Sequence, residues 1–296
     1  MDPYDELIAR VVDRRGVAML IGGLDSGKTT LAKRIASAAI AEGLSVAILD
    51  ADVGQSTIGP PTTVGLRSVK SDADLDPAEL AKADDLAFVG ATSPQGHLLP
   101  LVVGSRLLLD RARAKGADLV VVDTTGLVSG VYGQVLKFHK VASLQPDMVI
   151  GLARGEELEP VLGVLSRFAP AEIVRAGIHP DVLPASVERR AQLREESMGR
   201  YLAGELYRFR VKSTVFMPSL PALFELAALD RILVGLSDGA GRCIGVGYLE
   251  HIAEDGGLRL ISPVAEAPKA LILGAVRLED GYRARRVDLR NLLGSD

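Results

Sequence analysis

Tryptophan is absent from these 296 residues and aromatic residues make up only 4% of them, so the chain has few broad ring surfaces on which to stack anything. A single cysteine, Cys243, excludes an intramolecular disulfide. Its apolar neighbours Ile244, Gly245 and Val246 place it on a core strand rather than in reactive chemistry. Long apolar runs are missing too: the longest, Leu98 to Leu109, is interrupted by Arg106 and falls short of the roughly 18 to 20 residues a membrane-spanning helix needs. The opening Met1-Asp2-Pro3-Tyr4-Asp5-Glu6 is acidic and lacks the basic and apolar regions of a secretory signal, so a soluble, cytoplasmic protein with no membrane partner is expected. Excess positive charge is also lacking. With 34 Lys and Arg against 38 Asp and Glu the net charge is −4, which argues against a broad electropositive surface for duplex nucleic acid. A local basic groove stays open, because Val187 to Lys212 carries Arg189, Arg190, Arg194, Arg200, Arg208, Arg210 and Lys212, diluted by four glutamates.

What is present is a hydrophobic content of 48%, enough to fill the core of one large domain plus a small one. Short β-branched runs alternate with alanine- and leucine-rich amphipathic segments, the pattern of repeated βαβ units. Strands are expected near Val17–Ile21, Ser45–Leu49, Leu86–Val89, Leu119–Val122, Met148–Leu152 and Glu172–Val174. Helices are expected over Lys28–Ala41, Leu99–Lys115, Gln134–Leu144, Glu157–Phe168 and Val187–Ala203. The fold class is therefore α/β, a doubly wound and mostly parallel sheet with helices on both faces. Beyond about residue 210 the rhythm changes to short strand-like runs separated by Gly, Asp and Pro: Arg231–Gly235, Cys243–Leu249, Leu258–Ile261 and Ala270–Val276. These predict a small β-rich C-terminal domain over 211–296, after an α/β domain over 1–210.

The run Gly22-Gly23-Leu24-Asp25-Ser26-Gly27-Lys28-Thr29, followed by Thr30, fits G-x-x-x-x-G-K-[ST] between an apolar strand and an alanine-rich helix. Glycines let successive backbone N–H groups face a phosphate chain, and the helix N-terminus adds its positive end. Lys28 is expected on the β- and γ-phosphates of a nucleoside triphosphate, and Thr29 on its magnesium ion.

Carboxylates follow at the carboxyl ends of the next strands, where open α/β sheets bind ligands. Asp50 and Asp52, in Asp50-Ala51-Asp52-Val53-Gly54-Gln55, fall on one side of a strand. Asp123 opens the D-x-x-G element Asp123-Thr124-Thr125-Gly126. All three can approach a triphosphate held by the neighbouring loop, with Asp50 and Asp123 as the metal candidates.

This combination resembles the polynucleotide 5′-hydroxyl kinases, which include the RNA kinase subunit of the pre-messenger-RNA cleavage machinery and ribosomal-RNA-processing relatives. The resemblance spans Val17 to Gly204 and rests on the P-loop, the D-x-D-x-G-Q element, Gly90-Ala91-Thr92-Ser93-Pro94, and Asp123 to Gly130. It also includes the helix Ser186 to Arg194 with the following Met198 to Gly204, which looks like the family's lid near 186–204. The resemblance implies ATP and Mg2+ as cofactors and single-stranded RNA or DNA bearing a 5′-hydroxyl end as partner. It implies Lys28, Asp52, Arg189 and Arg194 as catalytic residues, with Arg190 able to replace Arg189. Gln55, Thr92, Ser93, Thr125 and Gly126 are implied at the substrate. Leu127 stands where members often carry a base-stacking tryptophan, leaving Tyr132, Phe138, His97 and His139 as aromatic substitutes. The residues also allow a nucleotide-dependent switch or scaffold, or a small-molecule kinase, on the same framework.

Overall fold

The structure, a computed structural model, describes residues 2–222, 224–254 and 256–294; Met1 of the acidic N-terminus lies outside them. Helix α1 (Asp5–Arg14) leads into β1 (Gly16–Gly22), α2 (Lys28–Ala41) and β2 (Val46–Ala51). Next come β3 (Thr63–Val69), the short helix α3 (Pro77–Leu80), β4 (Asp85–Phe88), α4 (Leu98–Ala114), β5 (Leu119–Thr124) and α5 (Gly130–Leu144). The first part closes with β6 (Met148–Ala153), α6 (Glu159–Phe168), β7 (Glu172–Gly177) and α7 (Val187–Tyr201). The second part contains β8 (Tyr207–Val211), β9 (Phe216–Met217), β10 (Ile232–Ser237), β11 (Cys243–Ile252), β12 (Gly257–Ser262), β13 (Ala270–Leu278), β14 (Ala284–Arg286) and α8 (Leu289–Leu293).

The first part is a sheet in the order β4-β3-β2-β5-β1-β6-β7, with β2, β5, β1, β6 and β7 all parallel. Period-two alternation splits its strands between two cores. Val17, Met19 and Ile21 face the side covered by α4, α5 and α6. Ala18 and Leu20 face α1 and α2, whose Ile8, Val11, Leu31 and Ile35 are buried against them. Helices therefore cover both faces, as the alternating pattern predicts.

Strand β3 has no counterpart in the sequence reading. It returns antiparallel along β2, and β4 returns antiparallel along β3, so the run 86–89 joins the sheet outside the parallel set. Strand β3 escapes detection because Gly65, Arg67 and Ser68 break its apolar character. Gly65 is needed there: a Cβ would lie 2.2 Å from the Ile58 carbonyl oxygen, where only a hydrogen fits. Helix α1, also unread, buries Ile8, Val11 and Val12 at helical spacing and is polar elsewhere.

In the second part β10 lies between β11 and β13, antiparallel to both. A single bridge, Cys243 opposite Leu86, links β11 to β4 and makes the two sheets continuous. Burial pushes the Cys243 thiol up to about 11, which keeps it protonated and unreactive near neutral pH. The basic stretch Val187 to Lys212 divides between a helix and a strand. Helix α7 stops at Tyr201, close to the expected Ala203, and Tyr207–Val211 pairs with β12, which places Arg208 and Arg210 on a strand. Among the described residues no helix is long and apolar enough to cross a membrane.

Candidate active site

The P-loop joins β1 to α2 at the carboxyl edge of the sheet. Gly27 has φ +81°, a left-handed conformation that glycine adopts without penalty. At Gly22 a Cβ would meet the Ser26 hydroxyl at 2.4 Å and the Leu152 carbonyl at 2.9 Å. The loop's side chains are organised by Lys28. Its buried Nζ donates to the Gly22 carbonyl (3.1 Å), the Gly23 carbonyl (2.7 Å) and the Ser26 hydroxyl (3.1 Å). Gly126 of the D-x-x-G element packs on the loop so closely that a Cβ would lie 2.8 Å from the Leu24 nitrogen. Strand β5 and the P-loop are thus held as one unit.

The aspartates separate by partner. The Thr29 hydroxyl donates to Asp123 Oδ2 at 2.5 Å, and the buried Asp123 Oδ1 has no hydrogen-bond partner among the described residues. Burial pushes the Asp123 carboxyl up, while the Lys28 charge and the Thr29 hydrogen bond pull it down. Asp52 borders the same cleft, its Oδ1 accepting from the Gly54 (3.0 Å) and Gln55 (3.1 Å) amides. Asp50 is directed elsewhere. It is 1% exposed, its Oδ1 accepts from the Asp52 amide, and its Oδ2 accepts from the Thr57 amide, the Thr57 hydroxyl and the Ile58 amide. It staples residues 52–58 and does not border the cleft that Asp52 and Asp123 share. Thr92 reaches this region through its backbone, since a Cβ on Gly54 would lie 2.8 Å from the Thr92 carbonyl. The Ser93 hydroxyl accepts from the Gln95 amide at 3.4 Å, and neither Thr92 nor Ser93 borders the cleft. Thr125 is buried and offers its carbonyl to Lys137 at 2.6 Å.

The staple at Asp50 is testable apart from any reaction. Asparagine there would turn an NH2 group toward backbone donors, so Asp50→Asn is expected to lower stability by about 1–3 kcal/mol in a thermal or urea melt. Burial and the Asp123 charge push the Asp50 carboxyl up to about 7, against the amide hydrogen bonds that hold it down. A carboxyl raised above its ordinary 3.8 contributes stability that is present at acid pH and lost as pH rises through 7. The gap between wild type and variant is therefore expected to narrow from pH 4 to pH 7.

Helix α7 covers the loop from above. Ser186 caps it by accepting from the Arg189 amide, and the three arginines diverge. Arg190 Nη1 donates to Asp25 Oδ2 of the P-loop (2.8 Å) and to the Ala185 carbonyl (2.6 Å). Its own carbonyl accepts from Gln55 Nε2 at 3.1 Å. Arg189 instead pairs with Glu196 at 3.0 Å on the exposed side. Arg194 lies in the gap between α7 and the Gly54–Thr57 loop, with Lys33 and Gln55. Burial and the Arg190 charge lower its pKa, and the Glu195 and Asp52 charges oppose them. The far half of α7 is anchored on the C-terminal strands. Met198 and Leu202 pack with Leu233, Val246 and Val276, and the Tyr201 hydroxyl accepts from the Val246 amide at 2.9 Å.

The cleft holds about 710 Å3 and extends from Lys28, Asp52 and Asp123 past Thr30 and Arg34 to a cluster around His179. There the Tyr4 and His179 rings lie 5.9 Å apart, and the Arg34 guanidinium sits 5.6 Å from the Tyr4 centroid. Leu183, 83% exposed, and Val182, which lies against Gly27, add apolar surface beside them. This end escaped the sequence reading because Tyr4 and His179 are brought together only by the docking of α1 beside β7. The aromatic substitutes lie apart: Phe138 packs edge-on against His139 and Phe168, Tyr132 is exposed, and none of these, nor His97, borders the cleft.

Lys137 and Lys140 were also missed, and both are fully buried. They lie on the face of α5 that carries Gly133, Leu136, Val141 and Leu144, so their helical position alone marked them as inward-facing.

Residues 22–204, more than half the chain, match the family described as mRNA cleavage and polyadenylation factor CLP1 P-loop. A polyribonucleotide 5′-hydroxyl-kinase of Methanocaldococcus jannaschii is 28% identical, with 88% of this chain and 87% of that protein covered. One of Pyrococcus horikoshii is also 28% identical, over 97% of this chain and 94% of the relative. The polyribonucleotide 5′-hydroxyl-kinase Clp1 of Xenopus tropicalis is 26% identical over 95% of this chain and 63% of its own length. In fold, the chain superposes on Clp1p from a complex with Pcf11p with a TM-score of 0.69 at 14% identity, covering 92% of this chain and 77% of the other. With its P-loop, aspartates and helix α7 all inside the matched stretch, the chain belongs to the CLP1 P-loop family.

Proposed function

We propose that this protein is a phosphotransferase that moves the γ-phosphate of ATP to the 5′-hydroxyl of a polynucleotide, RNA or DNA. The observation that carries the reading is one cleft in which a P-loop lysine, the Thr29–Asp123 pair and Asp52 meet beneath an arginine-bearing helix. Phosphoryl transfer needs alignment and charge stabilisation more than covalent chemistry, and these residues supply both. Lys28 and the loop amides hold the phosphates. Asp52 orients the acceptor hydroxyl and takes its proton as the new bond forms. Arg194 and Arg190 bring cationic charge to the transferring group, and α7 shields it from water.

The all-oxygen Thr29–Asp123 pair, with Asp123 Oδ1 buried and unpartnered, fits a magnesium ion. Thr29 and Asp123 would hold it, and when bound it neutralises charge on the β- and γ-phosphates.

The triphosphate lies along the P-loop, so the base reaches toward Arg34, His179 and Leu183. His179→Ala is expected to raise KM for ATP about tenfold, the worth of one lost stacking contact, with kcat unchanged. Steady-state kinetics against ATP check this.

The acceptor class is tested by ADP release. Single-stranded oligonucleotides with 5′-hydroxyl ends should stimulate it, while the same oligonucleotides with 5′-phosphate ends, and small alcohols, should not. Stimulation by small alcohols alone would assign a small-molecule kinase instead.

A further inference from the structure

Two ammonium groups are enclosed beneath the site on α5, although leucine or methionine at either position would complete the apolar face. Lys137 Nζ donates to the Thr124 hydroxyl at 2.8 Å and to the Thr125 carbonyl at 2.6 Å, and Thr124 in turn donates to the Leu20 carbonyl at 2.7 Å. Lys140 Nζ reaches the Ala51 carbonyl at 3.4 Å. Both are 0% exposed, and neither borders the nucleotide cleft.

Their targets are specific. Thr124 and Thr125 directly follow Asp123 at the end of β5, and Ala51 directly precedes Asp52 at the end of β2. These neighbouring parallel strands carry two of the carboxylates that line the cleft, Asp52 and Asp123. Burying a charge costs several kcal/mol unless it is compensated. The compensation here comes from the site: the charges of Asp52 and Asp123 favour the charged form of both lysines, and Asp50 adds to this at Lys140. Burial works against that form, pulling Lys140 down to about 8 and Lys137 well below its ordinary value, with the Lys140 and Lys28 charges adding to the effect at Lys137.

We propose that Lys137 and Lys140 are positioning residues for phosphoryl transfer, tying the ends of β5 and β2 together from beneath and balancing the charge of Asp123 and Asp52. This rests on the kinase reading given above. The pair acts through the backbone that carries the carboxylates and touches neither ATP nor the acceptor. A misplacement of about 1 Å at such a site costs on the order of 100-fold in rate. Replacing a whole buried ion pair by apolar side chains is often neutral or stabilising, whereas removing one charged partner alone destabilises, so each single lysine variant is expected to melt lower.

The test separates these effects. Lys137→Met and Lys140→Met are each compared with wild type for melting temperature and for the kcat and KM of transfer from γ-labelled ATP to a 5′-hydroxyl RNA oligonucleotide. The expected result is a lowered melting temperature with the protein still folded at the assay temperature, an unchanged KM for ATP, and kcat lowered about 100-fold at Lys137 and less at Lys140, whose bond is longer. Should Lys137→Met fail to fold, Lys137→Gln, which keeps a donor and drops the charge, takes its place. Wild-type kcat in the folded variants, or a kcat that falls only in step with melting temperature, would overturn the proposal. Absence of transfer by wild type would count against the kinase reading, and the same kcat and KM comparison on ATP hydrolysis would then judge the lysine pair.

Discussion

Arg194→Ala is expected to slow phosphoryl transfer by about 10³- to 10⁵-fold, the range associated with a cationic finger on a transferring phosphoryl group. The guanidinium is half-buried between α7 and the Gly54–Thr57 loop, close enough to Asp52 for that charge to be felt. Its neighbours on the helix are held differently. Arg190 is tied to Asp25 and the Ala185 carbonyl, so its loss should loosen α7 from the P-loop as well as remove charge. Arg189 is paired with Glu196 on the exposed side, where an ion pair contributes little. Arg189→Ala should therefore change kcat far less than Arg194→Ala. ATP binding, measured by calorimetry with a non-hydrolysable analogue, should persist in both. A larger loss at Arg189 than at Arg194 would mean that the lid docks differently in the reacting complex.

The second large effect is expected at Asp52. Asp52→Asn keeps an oxygen for the Gly54 and Gln55 amides, so the loop should hold its shape while the carboxylate charge is lost. Transfer should fall by about 10²- to 10⁴-fold, the usual contribution of a positioned acid–base group. KM for ATP should stay near wild type, because the proposed nucleotide contacts are those of Lys28 and the loop amides. Retained ATP hydrolysis alongside lost transfer would be the clearest sign that Asp52 serves the acceptor rather than the metal.

Much of this site was legible in the sequence because its signals are local. The P-loop pattern lies between an apolar strand and an amphipathic helix, and α2 begins at Lys28 and ends at Ala41, as the pattern predicts. Asp52 and Asp123 come together because parallel strands end at the same edge of a sheet, a rule that needs no coordinates. Facing was harder to read. Asp50 and Asp52 share one side of a strand on paper, yet the chain turns after Ala51, and Asp50 is enclosed by the amides of residues 52–58. Arg189 and Arg190 differ by about 100° around a helix, so which one meets the P-loop depends on how α7 docks. That docking is set by Met198, Leu202 and Tyr201 against C-terminal strands distant in sequence. The Tyr4–His179 cluster depends in the same way on α1, and β3 was hidden by the glycine that its close approach to Ile58 requires.

The central claim is tested most directly by incubating the protein with γ-labelled ATP, magnesium and single-stranded RNA or DNA bearing either 5′-hydroxyl or 5′-phosphate ends, with Lys28→Ala alongside. The account predicts label on 5′-hydroxyl ends alone and none with Lys28→Ala. Nucleotide bound stoichiometrically with no label on any end would contradict it and favour a nucleotide-dependent switch.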